Sequence, residues 1–190
     1  MSFKSARYLM VGIALGFGCS IVVAQEVVHA VTGVVTGVDT STHTITLKTN
    51  DGSQVVLQEE AKHDPRFDFD KALEADATRS ADFNKQGDPA IVYYFGMDEN
   101  RKAVAVKDLG TTALKSVSGQ ITHWDHHRHV VTIKTASGAK QTFQLDDKTA
   151  VETPMGVVNG DKFEGQNGDQ ISIRYSDKGG NNEAVFLSES

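Results

Sequence analysis

The clearest pattern along the chain is an apolar–polar alternation that occurs twice. Residues 44–48 read TITLK and residues 130–134 read VVTIK. Ile45 and Leu47 in the first, and Val131 and Ile133 in the second, alternate with Thr and Lys, which suits a half-buried strand. The turn signals NDG (50–52) and ASG (136–138) each lead into a further strand. Later, Ala90, Val92 and Tyr94 alternate with other residues, as do Ile171, Ile173 and Tyr175. Each of these runs meets a polar turn, DENRK (98–102) or KGGNN (178–182), and then a short apolar strand at 103–106 or 184–187.

The two occurrences are copies of one module. Residues 31–58 and 117–144 align without a gap at a separation of 86. The shared residues include Gly33/Gly119, Asp39/Asp125, His43/His129, Thr46/Thr132, Lys48/Lys134 and Gly52/Gly138. Residues 87–95 and 168–176 match again at a separation of 81, so the first copy carries five additional residues between its matched blocks. Five short strands in about 80 residues close naturally into a small barrel, because closure removes exposed edges. The expected fold is all-β: two tandem five-stranded small barrels, OB-like or SH3-like, at 25–110 and 111–190. The segment 62–86 has helical composition around 69–79, which leaves room for a short helix in the first barrel. Its counterpart 146–167 reads as a loop with room for a short strand.

Residues 1–24 break the barrel pattern. Lys4 and Arg7 precede an apolar run over 9–24, and Val22 and Ala24 stand where a signal peptidase selects small side chains. The run has 16 residues, short of the roughly 20 that a membrane span needs. A cleaved signal peptide follows, and a periplasmic or secreted location with it. Lipid attachment at Cys19 is disfavoured, since Gly16 stands where lipoprotein signals carry Leu. Cys19 is the one cysteine, so cleavage leaves neither a disulfide nor a thiol ligand. The full chain carries a net charge of −6, and cleavage removes the two cations Lys4 and Arg7, so the mature chain is more acidic still, which argues against nucleic acid and against an anionic membrane surface as partners.

The pattern Gly-x-Val-x-x-Val-Asp, turn, Thr-Ile-x-Leu-Lys-Thr, followed by Gly-Asp at 87–88 and 168–169 and a terminal Ala-Val strand, resembles the small β-barrel modules of exported bacterial proteins of unknown function. A more distant likeness is to periplasmic copper-binding OB-fold proteins. Those hold Cu(I) with His and Met beside a Trp. This chain has His123 next to Trp124 and an isolated Met155, but not their pair of nearby methionines on one strand.

The conspicuous chemical cluster is HWDHHRH, residues 123–129, at an expected hairpin tip. Imidazoles and a carboxylate suit Zn, Cu(II) or Ni. With a loop at 126–128, Asp125 would face His129 and His123 would share their face. The metal candidates are therefore His123, Asp125, His126, His127 and His129. The first copy reads GVDTSTH there and keeps only Asp39 and His43. The Asp/His pair thus reads as a shared turn device, with the Asp capping the turn and facing the His. Trp124 aligns with Val38 and is expected to pack in the core or at the barrel rim. Tyr94 aligns with Tyr175 and is expected in the core too, whereas Tyr93 aligns with Arg174 and is expected to face solvent. Asp64, Asp68, Asp70, Glu74 and Asp76 lack the spacing of a calcium loop and read as a solvated acidic helix.

No nucleophile elbow, zinc-protease, P-loop or dinucleotide motif is present in the sequence. The expected function is a non-catalytic exported binding or scaffold protein of the cell envelope, with no certain cofactor and with an envelope protein or small ligand as partner. The alternative is a periplasmic metal-binding protein that takes a divalent transition metal at the histidine-rich hairpin.

Overall fold

A computed structural model describes residues 26–60, 67–111 and 114–189. The signal sequence expected at 1–24 lies outside the described residues. In the first module the strands are β1 (Glu26–Val27), β2 (His29–Asp39), β3 (Thr44–Lys48), β4 (Gln54–Glu59), β5 (Phe67–Asp68), β6 (Thr78–Arg79), β7 (Pro89–Phe95) and β8 (Lys102–Asp108), with the helix α1 (Lys71–Ala75) between β5 and β6. The second module holds β9 (Lys115–Asp125), β10 (Val130–Thr135), β11 (Lys140–Gln144), β12 (Ala150–Thr153), β13 (Gly156–Asn159), β14 (Gln170–Lys178) and β15 (Asn181–Glu189).

Strand pairing closes each module on itself. In the first, β4-β3-β2-β7-β8 are neighbours in that order, and a parallel contact from β4 to β8 completes the ring. In the second, β11-β10-β9-β14-β15 repeats the order, and β11 meets β15 in parallel. Numbering the five main strands along each module, the cyclic order is first, second, third, fifth, fourth. That is the Greek-key barrel of the OB-fold, and it decides between the two barrel types that the pattern of alternation leaves open. The copies also share a close approach. A Cβ on Gly33 would stand 2.5 Å from the Lys48 carbonyl oxygen, and one on Gly119 would stand 2.6 Å from that of Lys134. The first strand can bend against its neighbour there only without a side chain.

Each barrel has its own core. Val35, Ile45, Leu47, Leu57, Ala90, Val92 and Val106 fill the first. Ile121, Trp124, Val131, Ile133, Phe143, Ile171, Ile173 and Tyr175 fill the second. Trp124 lies in the core, the first of the two places that its alignment with Val38 allows.

The third apolar cluster belongs to neither barrel alone. Val28, Ala30, Leu73, Ile91, Tyr93 and Ala105 from the first module pack with Ala150, Val157 and Phe186 from the second. This seam overturns the expectation for Tyr93 but not the one for Tyr94. Tyr93 is fully buried in this shared cluster, with the Phe69 ring of its own module 4.8 Å away, and Tyr94 is half-buried against the core of the first barrel. The segments between third and fourth strands also depart from expectation. The helix in the first copy shrinks to the five residues of α1, capped by Asp70. In the second copy the same stretch is an antiparallel hairpin, β12–β13. Gly156 in that hairpin sits against the first module at φ +110°, where a Cβ would stand 2.8 Å from the Val28 carbonyl oxygen.

Candidate functional site

The histidine hairpin forms, with different geometry from the expectation. Asp125 pairs with Val130, so the loop is the four residues 126–129, and His129 lies in the loop and not opposite Asp125. His129 adopts φ +52° and its counterpart His43 φ +53°, a left-handed conformation that His tolerates better than most non-glycine residues. This backbone requirement accounts for a His at the same place in both copies. Asp125 Oδ1 accepts hydrogen bonds from the backbone N–H groups of His127 and Arg128, both at 3.1 Å. Asp39 Oδ1 does the same for Ser41 (2.8 Å) and Thr42 (3.1 Å). These bonds hold both carboxyls below the ordinary aspartate value. The Arg128 N–H is the largest cause for Asp125, and the Ser41 hydroxyl is the largest for Asp39, which falls to about 2.

Neither His43 nor His129 pairs with the aspartate of its own turn. His43 Nδ1 lies 3.5 Å from Glu59, and His129 Nδ1 lies 3.7 Å from Asp161. The Trp124 indole N–H donates to His126 Nδ1 at 2.8 Å, and the rings meet edge to face. His123 and His127 are exposed. Among the described residues, no group of three or more His, Cys, Asp or Glu side chains converges on a metal-sized point. The convergence of His123, Asp125 and His129 fails because the loop is one residue longer than the spacing implies.

The densest cross-module chemistry lies at the seam. Glu152 on β12 reaches into the first module: Oε1 meets His29 Nδ1 at 2.6 Å, and Oε2 accepts the Ala30 backbone N–H at 2.6 Å. Burial pushes the Glu152 carboxyl above its ordinary value, against the opposing pull of His29 and that N–H. Asp70, whose side chain is only 6% exposed, caps α1 and receives Lys162 Nζ at 2.7 Å and the Asn159 amide at 3.2 Å. Desolvation raises the Asp70 carboxyl, but its donors outweigh that and hold it below its ordinary value. A backbone bond from Val157 N–H to the Val28 carbonyl (2.7 Å) and one from Lys107 Nζ to the Lys148 carbonyl (2.7 Å) complete the joint.

Asp70, expected on a solvated acidic helix, is instead a buried acceptor of the joint, and nothing in the residue spacing points to Glu152 or Lys162. Of the other acids in that segment, Asp76 pairs with Lys107 at 2.7 Å and Glu74 is exposed, while Asp64 and the Asp68 side chain lie outside the described residues. One signal was available: Glu152 and Lys162 both stand in the segment where the copies stop resembling each other.

No protein-family model and no curated protein matches the chain. Among solved structures it is similar to silver(I)-bound CusF, at 15% identity and TM-score 0.32, over 41% of this chain and 99% of that one. It is also similar to the CSD456 fragment of Drosophila Unr, at 14% identity and TM-score 0.33, over 86% of this chain and 61% of that one.

Proposed function

We propose that the chain is a non-catalytic exported protein of the cell envelope in which two OB-like barrels act as one rigid binding or scaffold body. The observation that carries this is the seam. Nine buried apolar residues from both modules form one cluster, and two carboxylates, Asp70 and Glu152, each bond across it. Modules that served only as separate beads would need no such joint, since domains in one chain tend to move relative to each other unless their interface is large and apolar. A fixed joint holds the loops and outer faces of both barrels in one arrangement, which suits a partner or ligand that touches both.

The test has two parts. Fractionation of cells expressing the full chain, followed by N-terminal sequencing, is expected to find a periplasmic or secreted product starting after Ala24. A cytoplasmic, uncleaved product overturns export. In-cell crosslinking is then expected to give a discrete adduct that disappears in Glu152→Ala, although each barrel stays folded. An adduct indifferent to the seam refutes the rigid-body reading.

A second reading has one observation in its favour. Asp161 brings a carboxylate from a separate segment to within 3.7 Å of His129, so the hairpin is not the sole source of donors for a divalent Cu, Zn or Ni ion. Calorimetry with each metal tests it, and binding unchanged in Asp161→Asn and His129→Asn removes it.

A further inference from the structure

The outer faces of the two barrels have diverged at matching positions. On β7 the first module presents Ile91 and Tyr93, and both are fully buried in the seam. The matching residues on β14 are Ser172 and Arg174. On the neighbouring strand, Ala30 and Thr32 of β2 correspond to Ser116 and Ser118 of β9. A face that is mainly apolar in one copy is hydroxyl-rich and cationic in the other.

That polar face forms one wall of a cleft of about 210 Å³ at the junction of the modules. Thr32 and Asn50 enter it from the first module, Ser116, Ser118, Ser172, Arg174 and Ser188 line it from the second, and Val117, Ile173 and Phe186 supply an apolar wall. Among the described residues, no carboxylate lines it. Arg174 is half-buried, and among the described residues no carboxylate lies within ion-pair distance of it. Its one cross-module bond runs from Nη1 to the Thr32 hydroxyl at 3.1 Å, and that hydroxyl gives its own proton to the Ala90 carbonyl. The Arg174 Nε is buried and has no hydrogen-bond partner among the described residues. Burial lowers the guanidinium from its ordinary value with no acid beside it to offset the effect.

A half-buried cation without a counter-charge is costly, and it is out of character in a chain of net charge −6. The groups around it are matched to an anion. Ser118 and Ser172 share one hydrogen bond at 2.7 Å, which leaves a hydroxyl proton free, and Ser116 accepts from the Asn50 amide at 3.4 Å and keeps its own proton to donate. The planar guanidinium fork fits the oxygens of phosphate- or sulfate-type anions. The volume falls below the roughly 300–1,000 Å³ of pockets for drug-sized ligands, so the cleft suits a small ion and not a nucleotide.

We infer that this cleft is a binding site for a small tetrahedral oxyanion, sulfate or inorganic phosphate, held by Arg174 and the Ser116, Ser118 and Ser172 hydroxyls. The anion supplies the missing counter-charge, and because Thr32 and Asn50 come from the other module, it sits on the joint between the barrels.

Isothermal titration calorimetry of the full chain with sodium sulfate and, separately, sodium phosphate tests this, with ionic strength held constant by sodium chloride. Saturable one-site binding is expected for at least one of the two anions, weakened at least tenfold in Arg174→Gln and several-fold in Ser118→Ala/Ser172→Ala. The difference between the two titrations identifies the preferred anion. In the unmutated chain the Arg174 Nε–H resonance is expected to shift with the same saturation curve, a readout independent of whether Arg174→Gln folds. No saturable binding of either anion overturns the assignment. So does saturable binding that leaves the Arg174 resonance in place or survives Arg174→Gln undiminished.

Discussion

Asp70 gives the sharpest test of the joint, because it acts in the first module while the chain's single tryptophan, Trp124, lies in the core of the second. Replacing Asp70 with Ala removes the cap of α1, which accepts from the Ala72 and Leu73 N–H groups, at a cost of about 1 kcal/mol. It also removes the charged acceptor of Lys162 and Asn159. Hydrogen bonds to a charged group contribute about 1.5–3 kcal/mol. The lower end applies, since the Lys162 side chain is 64% exposed and regains water when its partner is lost. The expected total is about 2–3 kcal/mol, or a fall of roughly 4–12 °C in Tm for a chain of this size. Asp70→Asn separates the two contributions: asparagine caps helices as well as aspartate does, so only the ionic part is lost, about 1 kcal/mol. The assay is urea denaturation followed by far-UV circular dichroism and by Trp124 fluorescence. If the barrels unfold as a coupled body, the Trp124 midpoint falls with the dichroism midpoint. A Trp124 midpoint that stays put while the dichroism moves, or a total loss below about 0.5 kcal/mol, refutes the reasoning.

Two further outcomes follow from the same structure. The Tyr93 hydroxyl is buried in the seam with no hydrogen-bond partner among the described residues, so Tyr93→Phe is expected to raise stability by about 1 kcal/mol, and a measured loss in thermal denaturation would show that the hydroxyl is satisfied. The Asp39 carboxyl lies at about 2 against an ordinary 3.8, so its contribution to the hairpin is complete above about pH 4 and is lost as the pH falls through about 2. Carbon-detected NMR titration of Asp39 reads this directly, and a midpoint near 3.8 would show that the Ser41 and Thr42 bonds do not hold in solution.

Much of the barrel architecture was legible along the chain. Ile45 and Leu47, and their counterparts Val131 and Ile133, alternate because one face of each strand meets a core and the other meets water, and that requirement is local. The repeated Gly33/Gly119 and Asp39/Asp125 likewise serve local needs, a bent first strand and a capped turn, so they survive in both copies. The histidine cluster was visible as composition, but its geometry was not: one extra loop residue moved His129 out of line with Asp125, and spacing alone cannot count the residues in a turn.

What the sequence by itself determined is therefore the duplicated five-strand pattern, the turn positions and the core-facing alternation, all properties of a single module with short-range causes. Only the tertiary structure decided the OB-type strand order, since that depends on which edges meet across the barrel. It also decided the burial of Tyr93, the recruitment of Asp70 and Glu152 to the joint, and the isolation of Arg174 beside a cluster of hydroxyls. Each of these depends on one module lying against the other, and the residues that meet there are as many as 142 positions apart in the chain. Periodicity reports whether a strand face is apolar. It does not report which surface comes to cover that face, and in this protein the surface is the other copy of the same fold.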